Sequence, residues 1–114
     1  MLPAGTKTAV TFQFTDVAVA SGGGHLLRLG FTMNNGSGDP QLCDSSLFSL
    51  QLSDGTVLDA DASANAQCDP DMIDPGSQGK STMYFNLPKD YTGPVTLFMV
   101  VDDKIVGQGT TNVQ

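Results

Sequence analysis

Oxygen-bearing side chains recur at every second position of the segment DADASAN, residues 59–65. An EF-hand loop presents its first calcium ligands at this spacing, but it also needs glycine at the sixth position and glutamate at the twelfth. Ala64 and Pro70 occupy those positions here, so an EF-hand is excluded. A simpler interpretation is an extended edge with polar side chains in water. A looser calcium site stays open as an alternative, and its ligands would be Asp59, Asp61, Asp69 and Asp71.

Acid–base catalysis in this chain would depend on His25, the one histidine in the sequence. It follows three glycines, which is typical of a solvated strand start, and no serine lies in a Gly-x-Ser-x-Gly motif. We therefore predict no enzymatic activity and no cofactor; activity that survives His25→Ala would eliminate the histidine-dependent alternative. A copper site is a further alternative, in which His25 would combine with thioethers of Met33, Met72, Met83 or Met99. Three of these methionines are in phase with core positions, which favours packing.

Cys43 and Cys68 are the two cysteines, and both lie in turn-rich polar stretches without the spacing of a zinc or redox motif. We predict that they form a disulfide, which favours an oxidising compartment. The first ten residues, MLPAGTKTAV, lack the basic and apolar parts of a signal peptide. We expect an exported protein whose leader is absent from this sequence, with a cytosolic protein as the alternative.

Composition favours an all-β chain with an acidic surface. All twelve acidic residues are aspartate, which prefers turns to helix interiors, and 13 glycines and 6 prolines separate short apolar runs. The formal net charge is −7 and the five basic residues are scattered, so nucleic acid is not an expected partner. No apolar run approaches the length that spans a bilayer, so we expect no membrane insertion by this domain. A partner should instead be basic.

Strict apolar–polar alternation predicts the strands that would position these residues. The central pair covers residues 81–87 and 95–101, separated by a turn-forming corner at which a chain can cross between sheets. Further alternation covers residues 8–15 and 25–33, and an Asp54-Gly55 turn predicts a hairpin within residues 46–60. We predict one domain, residues 1–114, folded as an immunoglobulin-like antiparallel β-sandwich of seven to nine strands. Its core should contain Phe12, Phe31, Phe48, Leu50, Phe85, Leu97 and Met99.

The segments FSLQLSDGTVLDAD and PGSQGKSTMYFNLPKDYTGPVTLFMV resemble a family of secreted bacterial immunoglobulin-like domains. That family includes lipoprotein-borne domains of unknown function and a mycobacterial immunogenic secreted antigen. The matching positions are Asp54, Gly55, Pro75, Gly76, Tyr84, Phe85, Leu87 and Pro88. The resemblance implies an exported β-sandwich and carries over no catalytic residue. Unlike antibody domains, the chain has no tryptophan, and its cysteines lie in loops.

The two longest stretches without strand periodicity, residues 34–46 and 61–78, are the predicted functional surface. They would be joined by the disulfide and contain half of the carboxylates: Asp39, Asp44, Asp61, Asp69, Asp71 and Asp74. The predicted function is a non-enzymatic, exported or cell-envelope module that binds a protein or envelope ligand or serves as a structural unit. The first alternative is a calcium-dependent adhesion module, which calorimetry with calcium would reveal. Asn35-Gly36-Ser37 is a formal glycosylation sequon, and Tyr91 is predicted to be a structural corner tyrosine.

Overall fold

A computed structural model describes residues 6–19, 26–60, 67–69, 71–88 and 91–113. These ranges contain ten strands and one 3₁₀ turn: β1 (Thr6–Val19), β2 (Leu26–Asn35), β3 (Gln41–Leu42), η1 (Ser45–Leu47), β4 (Phe48–Leu52), β5 (Val57–Asp59), β6 (Gln67–Asp69), β7 (Met72–Ile73), β8 (Gln78–Asn86), β9 (Gly93–Val101) and β10 (Lys104–Val113). In the described part of the chain, no helix has the length and apolar character needed to cross a membrane.

Eight strands form one curled sheet in the order β5-β4-β9-β10-β1-β2-β8-β6, while β3 and β7 form a separate ribbon. The pairing of β1 with β10 is parallel, and the other described pairings are antiparallel. Phe31 on β2 and Phe48 on β4 have ring centroids 5.6 Å apart. In a flat sheet these strands would be roughly 19 Å apart, at about 4.8 Å a strand. The halves therefore face each other across the core, and the predicted β-sandwich is confirmed.

The corner between β8 and β9 carries the chain from one half of the sandwich to the other. β8 lies between β2 and β6, whereas β9 lies between β4 and β10. The Tyr91 hydroxyl donates to the Pro94 carbonyl oxygen at 2.7 Å and accepts from the Ser53 backbone N–H at 2.9 Å. Tyr91 thus holds the corner against the β4–β5 hairpin, which confirms its structural role.

Alternate side chains of β2, β4, β8 and β9 fill the core, as the period-two pattern predicts. Six of the seven predicted core residues are at most 1% exposed: Phe31, Phe48, Leu50, Phe85, Leu97 and Met99. Phe12 is the exception, since it is only partly buried and packs against this cluster. Its ring centroid lies 5.1 Å from that of Phe31 and 5.9 Å from that of Phe48, so it contacts both halves of the core while part of it stays exposed.

β1 is one strand that continues to Val19, beyond the alternation predicted for residues 8–15. The register with β2 shifts between Phe14 and Asp16, so the strand accommodates an extra residue as a bulge and continues to Val19. Asp16 pairs with Gly30, where a side chain would bring its Cβ within 3.1 Å of the Asp16 Cβ. The Asp16 carboxylate accepts a 2.7 Å bond from Arg28 Nε, and this contact raises the pKa of the guanidinium.

The predicted Asp-Gly hairpin joins β4 to β5. Gly55 has φ of +92°, which glycine adopts without steric cost, and the Leu52 N–H donates to the Thr56 carbonyl oxygen at 2.8 Å. Asp54 Oδ1 accepts from the Thr56 N–H at 2.9 Å, and bonds from Thr56 lower the pKa of this carboxyl. In this turn Gly55 alone adopts a positive φ. Asp54, which precedes it, instead contributes a hydrogen-bond acceptor.

The β9–β10 turn instead places two aspartates in the left-handed region, Asp102 at φ 51° and Asp103 at φ 61°. Val101 pairs with Lys104, so this is a two-residue hairpin, for which Asn-Gly is preferred. We expect Asp103→Gly to raise the free energy of unfolding by about 0.5–1 kcal/mol, because relief of left-handed strain outweighs the extra freedom of glycine in the unfolded chain. Urea titration measures the change. The matched control, Asp54→Gly, should destabilise, since Asp54 has ordinary φ; a gain in both variants would contradict the strain argument.

Candidate functional site at the disulfide

Cys43 and Cys68 form the predicted disulfide, with their Cα atoms 5.9 Å apart. Cys68 lies in β6 and not in a loop as predicted, and it pairs with Ser81 of β8; Cys43 follows β3. The Cys43 N–H donates to the Asp71 carbonyl oxygen at 2.7 Å, and its sulfur lies 3.1 Å from the buried Ser81 hydroxyl. The connection after β3 is therefore held both by backbone bonds and by the covalent link to the main sheet.

The β3–β7 ribbon, which the sequence did not predict, brings the two loop stretches together. Gln41 pairs with Ile73 and Leu42 pairs with Met72. Ile73 is fully buried and anchors the ribbon in the core, whereas Leu42 and Met72 are 44% and 49% exposed. Two large apolar side chains thus lie opposite each other on the surface of the molecule.

Asn35 joins the loop after β2 to the turn before β8. Its side chain is 1% exposed, and its amide nitrogen donates to the carbonyl oxygens of Asp39 and Ile73, each at 2.8 Å. The Asn35 backbone also bonds to Ser77 and Gly76 at 3.0 and 2.7 Å. A buried polar group with every bond satisfied specifies one loop arrangement, because a lost partner would cost the full desolvation penalty.

This burial excludes the Asn35-Gly36-Ser37 sequon as a glycosylation site in the folded protein. The amide nitrogen that would carry a glycan already makes two hydrogen bonds inside the protein. Its oxygen accepts from the Ser37 N–H at 3.0 Å. The motif is therefore a structural loop, stabilised by an asparagine that caps its own turn.

A cleft of about 280 Å³ opens beside the disulfide. The disulfide and the buried Met83 form its inner wall. Its outer wall consists of Leu42, Asp44, Ser45 and Asp71. We call Leu42, Asp44 and Asp71, the cleft that they line, and Met72, which pairs with Leu42, the disulfide face. Apolar and carboxylate groups both border this cleft, a mixture that suits an amphipathic ligand group.

The loop stretches that form the disulfide face carry several exposed carboxylates. Asp39, Asp44, Asp71 and Asp74 are all exposed. Asp69 belongs to β6, where it pairs with Lys80 in the register, and Asp61 lies outside the described residues. From residue 29 to residue 79 the sequence contains eight of the twelve aspartates and no lysine, arginine or histidine. This part of the chain is therefore strongly acidic. The absence of basic residues over these 51 positions could be recognised from the sequence.

The positions of the described residues add no support for the calcium site or the copper site considered from the sequence. Asp59 ends β5, Asp71 borders the cleft, and no group of three histidine, cysteine or carboxylate side chains gathers within the described ranges. The calcium site therefore stays a prediction, with Asp61 outside those ranges. His25 also lies outside them. Fully buried thioethers in the core belong to Met33, Met83 and Met99.

No protein-family model matches the chain, and no curated protein is detectably similar to it in sequence. Two solved structures are similar in fold. The secreted protein MPT63 of Mycobacterium tuberculosis aligns with a TM-score of 0.59 and 16% identity, covering 85% of this chain and 79% of MPT63.

The second structure is YcdA of Bacillus subtilis, which is classed as a lipoprotein. It aligns with a TM-score of 0.67 and 16% identity, covering all of this chain but only 39% of YcdA. The resemblance drawn from the sequence motifs is confirmed by these two neighbours, because this chain has the fold of a secreted mycobacterial protein and of a Bacillus lipoprotein.

Proposed function

We propose that this chain is an exported, non-enzymatic module of the cell envelope, and that its disulfide face binds a partner with a basic patch. Export is supported by the disulfide, which persists in oxidising compartments, and by the secreted and lipoprotein nature of the two structural neighbours. Binding is supported by the loops themselves, since long loops held by a rigid scaffold commonly carry recognition.

The observation that carries this proposal is an acidic surface whose described residues are cross-linked to the body of the domain. The disulfide, the Asn35 hydrogen bonds and the buried Ile73 all hold the same two loop stretches. A surface that is ordered before binding loses little conformational entropy when a partner arrives. The stretch from residue 29 to residue 79, which supplies these carboxylates, contains no lysine, arginine or histidine, so a basic partner would complement its charge.

The test compares two triple variants that change the net charge equally. Asp44→Asn, Asp71→Asn and Asp74→Asn together remove three charges around the disulfide face. Asp54→Asn, Asp102→Asn and Asp103→Asn remove three exposed charges from turns elsewhere. Partners captured from native envelope extract by the immobilised wild-type domain are titrated against both variants over a range of salt concentrations.

The first variant should bind about 3- to 150-fold more weakly than wild type, since each of the three exposed charge pairs contributes about 0.2–1 kcal/mol. Its affinity should also depend less on salt. The control variant should bind nearly as wild type does. An equal loss of affinity in both variants would show that only net charge matters. Unchanged affinity in both variants would show that the partner binds a surface other than the disulfide face.

A further inference from the structure

We infer that Leu42 and Met72 are the anchor of the disulfide face, and that they take an apolar side chain from an extended polypeptide segment rich in lysine or arginine. This inference rests on the proposed function and specifies its partner. Among the described residues, three large apolar side chains are exposed: Val19, Leu42 and Met72. Two of the three are direct cross-strand partners in one ribbon.

Directly opposed residues of an antiparallel pair have Cβ atoms about 4.5–5.5 Å apart, so Leu42 and Met72 form one continuous apolar patch. Single exposed apolar residues are common, but two that are directly opposed offer a partner one contiguous apolar contact. The ribbon beneath it does not need these side chains, since Ile73 supplies its buried contact. The exposed pair is therefore available to a ligand.

The cleft beside Leu42 gives an incoming side chain a place to be enclosed. Leu42 and the disulfide line it, with the fully buried Met83 beneath them, while Asp44 and Asp71 stand at its border. An apolar side chain in the cleft would lose contact with water on several sides. Cationic neighbours in the same segment would reach the two carboxylates. An apolar centre with a charged rim is the usual arrangement of a binding hot spot.

The charge of the chain decides between the possible occupants. A nucleic acid or an anionic lipid surface would be repelled by the carboxylates around the patch. A second copy of this chain would bring the same formal charge of −7. A small apolar molecule would leave Asp44 and Asp71 without a role. A basic polypeptide segment with an apolar residue satisfies both the patch and its rim.

The test is an NMR titration of the isotope-labelled domain with three short synthetic peptides at low ionic strength. One peptide is lysine-rich with a central phenylalanine, the second has serine in place of the phenylalanine, and the third is glutamate-rich with the phenylalanine. The lysine–phenylalanine peptide should shift the amides of Leu42 and Met72. It should bind at least about tenfold more tightly than the serine peptide, since burying the ring contributes that much or more.

The variant Leu42→Ser with Met72→Ser should lose this preference for phenylalanine while keeping weak, salt-dependent binding of both lysine-rich peptides. Val19→Ser is the matched control, since it replaces the third exposed apolar residue, at the end of β1, and should keep the preference. Mild peroxide offers a second route to the same change. It should oxidise Met72 to the polar sulfoxide and spare the fully buried methionines Met33, Met83 and Met99.

Each alternative result has a distinct meaning. Equal affinity for the two lysine-rich peptides would overturn the anchor and leave the acidic binding surface of the proposed function intact. Failure of both lysine-rich peptides to bind would overturn both ideas. Equal binding of the glutamate-rich peptide would overturn the basic class of partner. Preference for phenylalanine that persists in the double variant and after oxidation of Met72 would place the apolar contact elsewhere.

Discussion

Phe85→Ala is expected to lower the free energy of unfolding by about 3–5 kcal/mol, the range for a buried phenylalanine reduced to alanine. Phe85 is fully buried on β8, where it pairs with the equally buried Leu27 of β2. Its ring lies in a cluster drawn from both halves of the sandwich, so the space it leaves cannot be refilled without moving several strands. Urea denaturation followed by circular dichroism measures the loss.

The control for Phe85 is its neighbour Tyr84, which lies on the other face of the same strand and is only half-buried. Tyr84→Ala should cost about 1 kcal/mol, as for an ordinary surface substitution with partial loss of packing. If Phe85→Ala abolishes folding, Phe85→Leu keeps most of the volume and should give a smaller, measurable loss. A loss below about 1 kcal/mol in Phe85→Ala would mean that the cavity is refilled or that the ring is not in the core.

Loss of the disulfide is expected to lower the free energy of unfolding by about 3–4 kcal/mol. The bond spans a sequence separation of 25 residues. In the chain-entropy description, a loop of that size accounts for about 3.5 kcal/mol by restricting the unfolded chain. Denaturation of the oxidised and the reduced protein measures the difference with no change of sequence, and Cys43→Ala with Cys68→Ala repeats it without free thiols.

Ser81→Ala is the matched control for this comparison, because it removes the hydroxyl that contacts the Cys43 sulfur but keeps the covalent bond. Thiol titration of the unfolded, unreduced protein should detect no free cysteine, and two after reduction. Two thiols before reduction would refute the disulfide. Equal stability of the oxidised and reduced forms would show that the other contacts hold the loops without it.

Period-two patterns predicted the core strands correctly, because in a half-buried strand successive side chains alternate between the apolar core and water. Leu27, Leu29 and Phe31 of β2 are buried as their alternation predicts. The same holds for Met83 and Phe85 of β8. The Asp54-Gly55 hairpin could be predicted as well, since a tight turn requires particular residues at adjacent positions. These features need no knowledge of which strands become neighbours.

Features that depend on distant pairing could not be predicted. The parallel contact of β1 with β10 joins opposite ends of the described chain, and nothing in either strand specifies its partner. The bulge in β1 arises where Asp16 meets Gly30, and a charged residue in a strand resembles an interruption. β3 and β7 have two residues each, too few for any periodicity.

The sequence predicted the disulfide and the acidic loops of the candidate site, but it did not predict the buried asparagine or the exposed apolar pair. The cysteine pair and the acidic loops were recognisable from residue type alone. Asn35 falls within the stretch 34–46 that lacks strand periodicity, and an asparagine in a polar loop gives no sign that it will be buried. The pairing of Leu42 with Met72 could not be predicted, since isolated apolar residues in a loop carry no periodic signal. Their meaning depends on the ribbon that places them together.

The parallel pairing of β1 with β10 has a mechanical consequence. Thr6 pairs with Ile105 and Thr11 with Gln108, so the start of β1 and the end of β10 point in opposite directions along the same pair of strands. Tension between those two points pulls the strands past each other, and their hydrogen bonds carry the load together. An antiparallel pair pulled from one side would instead open one bond at a time. A module tethered on both sides would thus resist stretching through its first and last described strands.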